Sequence, residues 1–505
     1  MYLTQGLHRS LQRSPAKIAL THLHSAGMRS HRVDALVDSV ARQAAALAAR
    51  GVRAGDRVAL LAANDDRLVQ ALFACWWLGA VACPLNVRWS APELAHALAD
   101  CDAALLLADE ALAERLPDQP APGLPCLGLD QFATQAAALA PLTDSRTGGD
   151  ALAAILYTGG TTGRSKGVML THANLWTASI SRAAELPNPP DSVSLLVAPL
   201  FHVAGLGRLV GQSTAGGACV TMAQFRPDAV LAAIAQLGIA DIIVVPTMLQ
   251  SLLDDPSFDA ARVQSLQRIA FGAAPMPPDL LDRALAAWPQ AEFFQAYGLT
   301  ETAGAVCINL PENHRSPAAR AAGRLSAVGR AGLGAEIIVA GPDGRALPAG
   351  EVGEILCRGA MVTPGYWRNP VATAAALHDG WLRTGDAGRM QADGTLAIVD
   401  RLKDMIISGG ENVYCAEVEA ALRAHPAVAQ AAVVGVADAR WGEAVHAFVV
   451  LREPVDEAAL RDWCRAQLAG FKCPRSYSVV PELPLSAAGK VLKNVLRDWL
   501  SPCKP

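Results

Sequence analysis

Residues 157–167 read YTGGTTGRSKG and follow directly on the apolar run ALAAIL of residues 151–156. An apolar run of this length predicts a buried strand that leads straight into the glycine-rich stretch. Glycines lack the Cβ atoms that would keep a phosphate away from the backbone, and the backbone N–H groups and threonine and serine hydroxyls can bind it. Arg164 and Lys166 add positive charge. We therefore predict a phosphate-binding loop at the end of a buried strand.

The spacing of this loop differs from two other phosphate-binding patterns. No Gly-Lys-Ser/Thr stands where a Walker A loop requires it, and the stretch is not GxGxxG. A flexible surface turn is the alternative interpretation, which the concentration of hydroxyls and cations among the glycines disfavours. The following residues, VMLTHANL, predict a second apolar run and then a helix that starts at the pair Thr171 and Asn174.

The length and composition of the chain exclude several classes of protein. At 505 residues it is too long for one core, so we expect roughly two or three packed units. With 52% hydrophobic and 18% charged residues, the composition is that of a globular protein. A net charge of −4 gives no electrostatic reason to expect a nucleic-acid partner.

The cysteines and the hydropathy pattern indicate a cytoplasmic protein. The 11 cysteines are scattered singly, without a CxxC pair or a Cys/His cluster, which argues against a disulfide framework or a structural zinc. The N-terminal residues contain no apolar signal core, and no later window of about 18 uncharged apolar residues predicts a membrane span. The C-terminal Cys503-Lys504-Pro505 is not a peroxisomal address.

Apolar runs of strand length alternate with helical patterns through most of the chain. Such alternation indicates a mainly parallel sheet. From Val328 to about Asp400, short extended runs between turns indicate a β-rich subdomain, and short α and β elements follow Arg401. Helices are predicted over 34–50, 67–78, 92–101, 227–238 and 278–288, and strands over 58–63, 193–201 and 240–246. Residues 268–277 predict a strand that ends in a small-residue loop.

The predicted fold class is therefore α/β. A large N-terminal domain, residues 1–402, would contain mainly parallel sheets flanked by helices plus the β-rich subdomain. A small, mobile α+β C-terminal domain would occupy residues 403–505.

Several later motifs also contain residues suited to nucleotide chemistry. Tyr297 offers a flat face to a purine, and Thr300 and Glu301 place a hydroxyl beside a carboxylate, which suits phosphate and Mg²⁺. Asp386, on a predicted turn, could accept both hydroxyls of a ribose. Each feature alone also has an ordinary structural explanation as a packed ring, a cap or a turn residue. The motifs are GAAPMP (272–277), QAYGLTET (295–302), WLRTGD (381–386), RLKDMIISGGENVYCAEVE (401–419) and LPLSAAGK (483–490).

Taken in order with the phosphate loop, these motifs resemble those of the adenylate-forming superfamily, in its acyl- and aryl-CoA ligase branch. The loop departs from the usual form by having Gly159-Gly160 for Ser-Gly and Ser165 where proline is common. Cys415 stands where proline usually follows Val-Tyr, and we interpret it as a small buried filler rather than a reactive thiol. The resemblance covers nearly the whole chain, with weaker likeness in GVRAGDRVALLAAND and GAVACPLNVRW.

The resemblance implies a site for ATP and Mg²⁺. It assigns Tyr297 to adenine, Thr300 to the α-phosphate and Glu301 to the metal, and it assigns Asp386 and Arg401 to the ribose. The residues implied to bind ATP or AMP are Thr158, Gly159, Gly160, Thr161, Thr162, Gly163, Lys166, Gly272, Ala273, Ala274, Gln295, Ala296, Tyr297, Gly298, Asp386 and Arg401.

The resemblance also implies catalytic residues and a site for coenzyme A. Lys490 would hold the carboxylate and the α-phosphate while negative charge develops, and Lys493 is its nearby competitor. Lys403 would be the hinge about which the C-terminal domain rotates between the two half-reactions. The implied catalytic residues are Lys490, Thr300, Glu301 and His202, of which His202 is equally compatible with a structural role. The residues implied to bind coenzyme A are Ser408, Gly409, Gly410, Glu411 and Trp441.

The implied acyl pocket is apolar and built mostly from small residues. Because it contains no Arg or Lys for a second carboxylate and no Asp for an amino group, it disfavours dicarboxylic and amino acids. A medium- or long-chain fatty acid is the first choice of substrate, and an aromatic acid of the benzoate or cinnamate type is the alternative. The implied pocket residues are His202, Val203, Ala204, Thr247, Gly272, Ala296, Gly298, Ala303 and Val306.

The expected activity is ATP-dependent ligation of a carboxylic acid to coenzyme A through an acyl-adenylate, with release of AMP and pyrophosphate. A stand-alone enzyme that loads an acyl carrier protein is the main alternative. A luciferase-like oxygenase and a non-enzymatic acyl- or nucleotide-binding protein are more distant ones. The sequence leaves the oligomeric state open, and a homodimer is compatible with it.

Overall fold

The computed structural model describes residues 1–116, 123–158, 165–408, 411–438, 440–486 and 490–500. The α-helices in these ranges are α1 Gln5–Arg13, α2 Val33–Ala49, α3 Asp66–Leu78, α4 Ala91–Cys101, α5 Leu129–Ala137, α6 His172–Glu185, α7 Val203–Ala215, α8 Pro227–Leu237, α9 Pro246–Asp254, α10 Pro278–Ala287, α11 Glu312–Arg315, α12 Pro317–Ala321, α13 Pro370–Ala376, α14 Cys415–Arg423, α15 Glu457–Gln467 and α16 Lys493–Leu500. None of the helices in the described part of the chain has the length and apolar character needed to cross a membrane.

The strands of the same ranges are mostly short. They are β1 Ile18–His24, β2 Gly27–Arg32, β3 Arg57–Leu61, β4 Val81–Pro84, β5 Ala103–Ala108, β6 Cys126–Gly128, β7 Leu152–Thr158, β8 Lys166–Thr171, β9 Val193–Leu196, β10 Ala218–Met222, β11 Asp241–Val244, β12 Arg268–Gly272, β13 Glu292–Leu299, β14 Gly304–Asn309, β15 Arg330–Ala331, β16 Ala335–Ala340, β17 Val352–Gly359, β18 Leu377–His378, β19 Trp381–Met390, β20 Leu396–Arg401, β21 Ile406–Ser408, β22 Glu411–Val413, β23 Val428–Asp438, β24 Gly442–Leu451 and β25 Ser476–Val479.

Two mainly parallel sheets carry the first part of the chain. Within the described ranges, a nine-stranded sheet has the order β15-β14-β13-β12-β11-β9-β10-β1-β2, and a six-stranded sheet has the order β6-β5-β3-β4-β7-β8. In the larger sheet the strands from β13 to β1 pair in parallel. In the smaller one only the pair β7 and β8 is antiparallel. The predicted α/β class is confirmed.

Helix α3 shows how the sequence packs the strand before the predicted phosphate loop. Its sequence, DRLVQALFACWWL, is apolar on nearly all sides, as expected of a helix enclosed in a core. The ring centroids of Phe73 and Trp76 lie 5.2 Å apart in an edge-to-face contact, and both rings are buried. The Trp76 indole N–H donates to the Ala153 carbonyl of β7 at 2.9 Å. The buried ring therefore also anchors β7.

The predicted start of α6 is confirmed in detail. Thr171 Oγ1 accepts a hydrogen bond from the Asn174 backbone N–H at 3.0 Å, and Asn174 Oδ1 accepts one from the Thr171 N–H at 2.9 Å. This reciprocal cap satisfies two N–H groups that a helix start would otherwise leave unpaired. Asn174 Nδ2 also donates to the Ala360 and Val362 carbonyls at 2.8 and 2.9 Å. The cap therefore fixes a distant segment as well.

The strand predicted over 193–201 ends earlier, and a helix that was not predicted follows it. β9 stops at Leu196, and α7 starts at Val203 with a glycine-rich sequence, VAGLGRLVGQSTA. Glycine weakens helices in isolation, so propensity gave no signal here. A Cβ at Gly205 would overlap the Pro199 carbonyl oxygen. Close packing of the helix start on the preceding loop accounts for that glycine.

The chain divides into two compact units, residues 1–336 with 357–382, and residues 337–356 with 383–505. The predicted β-rich region corresponds to a sheet of the order β16-β17-β19-β18, with β20 beside β19, in the described residues. The last hundred residues contain the sheet β22-β21-β24-β23 with β25 beside β24, packed against α14 and α15 around Val433 and Leu460. The predicted domains 1–402 and 403–505 stay a prediction.

Candidate active site

Adjacent parallel strands of the nine-stranded sheet carry two of the predicted motifs. Gly272, at the end of β12, is the register partner of Ala296 in β13. A Cβ at Gly272 would overlap the Ala296 carbonyl oxygen, so strand pairing itself requires a glycine there. The carboxyl ends of parallel strands form the usual ligand edge of such sheets. GAAPMP and QAYGLTET therefore leave the sheet side by side.

The backbone at this edge takes an uncommon conformation twice. Ala273 has φ +65° and Ala303 has φ +52°, which is the left-handed region that side chains other than glycine seldom occupy. Ala273 lies within the first motif, and Ala303 directly follows the second. Strain of this kind persists where the surrounding structure enforces it, and it clusters at binding sites.

A short helical turn, Thr300–Thr302, presents the predicted phosphate and metal residues. The buried Thr302 hydroxyl accepts from the Leu299 N–H at 2.9 Å and lies 2.6 Å from the Gly304 carbonyl, to which it can donate. Gly298 leaves room for that carbonyl, which a Cβ would overlap. Thr302 thus braces the turn from inside while Thr300 and Glu301 precede it. Nothing in the motif distinguished this threonine from its neighbours.

Glu301 has a partner that sequence reasoning missed. The Tyr366 hydroxyl donates to Glu301 Oε1 at 2.8 Å, and the Lys166 ammonium lies 5.4 Å from the centre of the Tyr366 ring. Burial, together with the Glu301 carboxylate, raises the pKa of Tyr366, so the phenol stays a protonated donor. Tyr366 lies in the sequence GYW of residues 365–367, and only an aromatic residue after a glycine marked it in the sequence.

The base of the predicted phosphate loop is an antiparallel hairpin. Thr158, the last residue of β7, pairs with Lys166, the first residue of β8. The Tyr157 hydroxyl donates to Asp100 Oδ2 at 2.6 Å, which ties β7 to α4. The loop residues Gly159, Gly160, Thr161, Thr162 and Gly163 lie outside the described residues.

His202 caps the start of α7, and its imidazole Nδ1 accepts from the Ala204 N–H at 3.3 Å. The loop before it is held by the buried Asn64 side chain. Asn64 Nδ2 donates to the Leu196 and Ala198 carbonyls at 3.0 and 2.8 Å, and its Oδ1 accepts from the Leu200 N–H at 2.8 Å. Asn64 therefore positions the His202 loop, although only weak likeness marked its segment in the sequence.

Most of the predicted acyl-pocket residues lie at the edge formed by the carboxyl ends of β9, β11, β12 and β13. Some follow these strands, whereas Gly272 ends β12, Ala296 and Gly298 lie in the second half of β13, and Val306 lies in β14. This common edge agrees with the usual place of a ligand cleft in a parallel sheet. Their exposure differs, since Thr247 and Gly298 are exposed whereas Val203, Ala303 and Val306 are buried. His202, Ala204, Gly272 and Ala296 are half-buried, as are the predicted nucleotide residues Ala274 and Gln295. Tyr297 is buried.

Asp386 and Arg401 pair with each other in the second unit. Arg401 Nε lies 2.7 Å from Asp386 Oδ1, and the two residues are register partners in β19 and β20. The Thr384 hydroxyl donates to the Ile355 carbonyl at 2.8 Å, which fixes the start of the TGD turn. Asp386 is almost fully buried, at 3% exposure. The two residues predicted to contact the ribose are thus brought together.

The predicted hinge residue, Lys403, is exposed on a turn that several contacts fix. Next to it, Asp404 Oδ1 accepts from Arg497 Nη2 at 2.9 Å. The Cys415 thiol donates to the Asp404 carbonyl at 2.9 Å, and burial raises the pKa of that thiol to about 12. Cys415 is therefore a buried donor, which agrees with its interpretation as a packed residue.

The residues predicted to bind coenzyme A are only partly described. Ser408 is buried and Glu411 is exposed, while Gly409 and Gly410 lie outside the described ranges. The Trp441 ring contacts two guanidinium groups, whose carbon atoms lie 4.8 Å (Arg440) and 4.4 Å (Arg475) from its centre. Each guanidinium group is attracted to the indole ring, and the two groups together place positive charge beside it. That charge suits a phosphorylated ligand.

The oxygen ligands available in the first unit fit Mg²⁺ that arrives together with a nucleotide. Mg²⁺ prefers one or two carboxylates plus phosphate oxygens and waters, and Glu301 supplies one carboxylate beside the Thr300 hydroxyl. Across the described ranges, no group of three or more His, Cys, Asp or Glu side chains could hold a metal alone. The donor set therefore fits a metal bound mainly through phosphate.

Comparisons with known proteins give the family. Residues 7–367 match the family profile of the AMP-binding enzyme, and residues 417–490 match that of the AMP-binding enzyme C-terminal domain. A feruloyl-CoA synthase from an Amycolatopsis species is 41% identical over 465 residues, which cover 91% of each protein. A fatty acid–[acyl-carrier-protein] ligase from Streptomyces coeruleorubidus is 38% identical over 476 residues, 90% of this chain and 89% of that protein.

A solved structure agrees with these relatives. The o-succinylbenzoate CoA synthetase of Bacillus subtilis, in complex with its acyl-adenylate intermediate, matches with a TM-score of 0.88 at 33% identity over 99% of this chain and 98% of that one. The chain belongs to the AMP-binding enzyme family. Its predicted membership of the adenylate-forming superfamily and its class, acid–thiol ligase, are confirmed.

Proposed function

We propose that this protein is an ATP-dependent acid–CoA ligase. In the first half-reaction a substrate carboxylate oxygen attacks the α-phosphorus of ATP, the bond to the β-phosphate oxygen breaks, and pyrophosphate leaves. In the second, the thiol sulfur of coenzyme A attacks the acyl carbon of the adenylate and AMP leaves. The observation that carries the proposal is the braced turn with Thr300 and Glu301, in a chain whose family forms adenylates. Tyr366 donates to Glu301, and Lys166 lies over the Tyr366 ring.

The first unit would bind the nucleotide through residues at one sheet edge. Tyr297 would face the adenine, and the Thr300 hydroxyl would donate to the α-phosphate. Lys166 would contribute positive charge at the base of the phosphate loop. Glu301 would hold Mg²⁺, which when bound neutralises charge on the phosphates.

The second unit would supply different residues to the two half-reactions. Asp386 would accept hydrogen bonds from the ribose hydroxyls, with Arg401 holding its carboxylate in place. Lys490 would stabilise the negative charge that develops at the α-phosphate during adenylation. Trp441, with the guanidinium groups on it, would bind coenzyme A in the thioester step. Lys403 would be the hinge about which the C-terminal residues rotate between adenylation and thioester formation.

We propose a monocarboxylic acid with an apolar body as the substrate, and a hydroxycinnamate-type aromatic acid as the first to test. The feruloyl-CoA synthase at 41% identity over 91% of the chain supports this choice. The small residues Gly272, Ala296 and Ala303 leave room for a ring. A medium- or long-chain fatty acid is the second candidate, supported by the relative that acts on fatty acids and an acyl carrier protein. That relative also supports carrier-protein loading as the alternative second step.

Pyrophosphate release across a panel of acids, with and without coenzyme A, tests the proposal. The panel contains acetate, octanoate, palmitate, benzoate, cinnamate, ferulate and malonate, and Glu301→Gln is the matched catalytic control. We expect release that coenzyme A stimulates, greatest with the aromatic acids, together with an acyl-CoA product. An aliphatic preference would favour the second candidate. Release without acyl-CoA formation would favour a carrier protein, and no release with any acid would overturn the proposal.

A further inference from the structure

We propose that Tyr366 is a positioning residue, which orients the Glu301 carboxylate toward the Mg²⁺ that enters with ATP. The inference rests on the proposed function, because Glu301 is the metal ligand in that proposal. The hydrogen bond from the Tyr366 hydroxyl to Glu301 Oε1, at 2.8 Å, joins residues 65 positions apart. Both residues are half-buried, so the bond is partly shielded from competing water.

The backbone around Tyr366 is fixed on the strand that follows the phosphate loop. The Met169 N–H donates to the Gly365 carbonyl at 3.0 Å, and the Trp367 N–H donates to the Gly167 carbonyl at 2.8 Å. Val168 and Tyr366 face each other across this pairing. The backbone of Tyr366 is therefore held in a short extended segment paired with β8.

A second contact ties the same segment to the Glu301 backbone. The Thr363 N–H donates to the Glu301 carbonyl at 2.8 Å. The Thr363 hydroxyl in turn lies 2.5 Å from the Met169 carbonyl and 2.9 Å from the Gly365 carbonyl, so it is anchored to β8 as well. One segment thus holds Glu301 by its main chain through Thr363 and by its side chain through Tyr366.

The chemistry of the pair suits a metal ligand. A protonated phenol donates to one carboxylate oxygen without cancelling its charge, so the carboxylate still attracts Mg²⁺ while its rotation is restricted. Mg²⁺ demands near-ideal octahedral geometry, which makes ligand orientation matter more than for larger cations. Lys166 over the Tyr366 ring links the same side chain to the cation at the base of the phosphate loop. Tyr366 is placed to orient both charges.

Tyr366→Phe removes the hydroxyl and keeps the ring. Partners of metal-binding side chains typically affect metal affinity by about 10- to 100-fold. We therefore expect the Mg²⁺ concentration for half-maximal pyrophosphate release to rise roughly 10-fold or more, with the rate at saturating Mg²⁺ much less affected. Tyr2→Phe is the matched control, because it removes a phenol hydroxyl from the N-terminal segment, where Tyr2 contacts His8. It should leave the Mg²⁺ midpoint unchanged.

Two further measurements keep the inference falsifiable. Binding of Mn²⁺ with a non-hydrolysable ATP analogue, followed by electron paramagnetic resonance, should weaken in Tyr366→Phe while analogue binding without metal stays the same. The double variant Tyr366→Phe/Glu301→Gln should have the metal affinity of Glu301→Gln alone, since coupled residues are not additive. An unchanged Mg²⁺ midpoint in Tyr366→Phe would overturn the inference. Weaker binding of the ATP analogue without metal, by as much as with Mn²⁺, would also overturn it, as would additive effects of the two substitutions on metal affinity. A wild-type enzyme that releases no pyrophosphate would instead overturn the proposed function.

Discussion

Lys493 Nζ lies 2.8 Å from Glu419 Oε1, and the two side chains are only 15% and 14% exposed. Burial alone would lower the pKa of Lys493, but the Glu419 carboxylate outweighs it and the pKa is raised. Lys490, three positions earlier, is exposed, and its backbone N–H donates to Ser486 Oγ at 3.1 Å. Of the two lysines, Lys493 is held in an ion pair within the second unit. Lys490 is the more exposed of the two lysines.

Lys490→Ala should reduce adenylate formation by about 100-fold or more, because a charge that stabilises the developing phosphate charge is lost. Thioester formation from a synthetic acyl-adenylate and coenzyme A should be largely retained, since Lys490 acts in the first half-reaction only. The two steps are measured separately, by pyrophosphate release and by acyl-CoA formation. Equal loss of both steps would contradict the assignment.

Lys493→Ala is the matched comparison for Lys490→Ala. It removes the ammonium group that lies 2.8 Å from the half-buried Glu419 carboxylate, which keeps the Val433 N–H donor and, at 3.9 Å, Arg423. Breaking a fully buried pair typically costs about 3–5 kcal/mol of stability, and the remaining contacts make the loss here smaller. We therefore expect a lower unfolding midpoint for Lys493→Ala and a wild-type midpoint for Lys490→Ala. A folded Lys493→Ala that specifically loses adenylation would reverse the roles of the two lysines.

Asp386→Asn should weaken the binding of ATP. The change keeps the shape of the side chain but removes the charge that both Arg401 and the ribose hydroxyls would bind. A hydrogen bond to a charged group contributes about 1.5–3 kcal/mol, so the KM for ATP should rise roughly 10-fold or more. The KM for the acid should change little. An unchanged KM for ATP would remove Asp386 from the nucleotide site.

Cys415 should be chemically inert in the native protein. Its thiol is buried, it donates to the Asp404 carbonyl, and its pKa is raised to about 12, so little thiolate exists near neutral pH. Iodoacetamide at pH 8 should label the exposed Cys126 before any other described cysteine. Cys415→Ser, which keeps a donor, should keep both half-reactions. Native-state labelling of Cys415, read by peptide mass spectrometry, would contradict this assignment.

Two buried histidines should make the protein lose stability in mild acid. Burial lowers the pKa of His172 and of His314 from 6.5 to about 4. Each ring therefore takes up a proton at the higher pH only when the chain unfolds, so lowering the pH from about 6.5 to 4 favours unfolding. The loss is up to about 3 kcal/mol for each histidine and levels off below pH 4.

Denaturant unfolding followed by tryptophan fluorescence between pH 4 and 7 measures this slope. In His172, Nδ1 accepts from the Leu3 N–H at 3.3 Å, so His172→Asn keeps an acceptor without a titrating group. It should reduce the slope by up to about 1.4 kcal/mol per pH unit, the contribution of one proton, whereas His378→Gln, at a side chain 75% exposed, should not change it. The same slope in His172→Asn as in the wild type would refute a contribution from that residue.

The parts of the fold that could be predicted are those set by local pattern. Strands such as β3 and β12 are short apolar runs bounded by turns, and the cap at Thr171 and Asn174 involves residues three positions apart. The prediction failed at α7, because its glycines lower the helix propensity of the segment. The start of this helix packs closely on the loop before it. No local pattern predicted α1, β1 or β2.

The sequence alone was enough to place this chain among the adenylate-forming enzymes, because the motifs use residues close together whose chemistry is evident from their identity. Thr300 next to Glu301, or glycines among threonines, indicate phosphate and metal binding from residues only a few positions apart. Tertiary structure alone showed which lysine pairs with Glu419, that Asn64 holds the His202 loop, and that Tyr366 donates to Glu301. These contacts join residues 65 to 136 positions apart, and no periodicity or spacing along the chain encodes a hydrogen bond over such a distance.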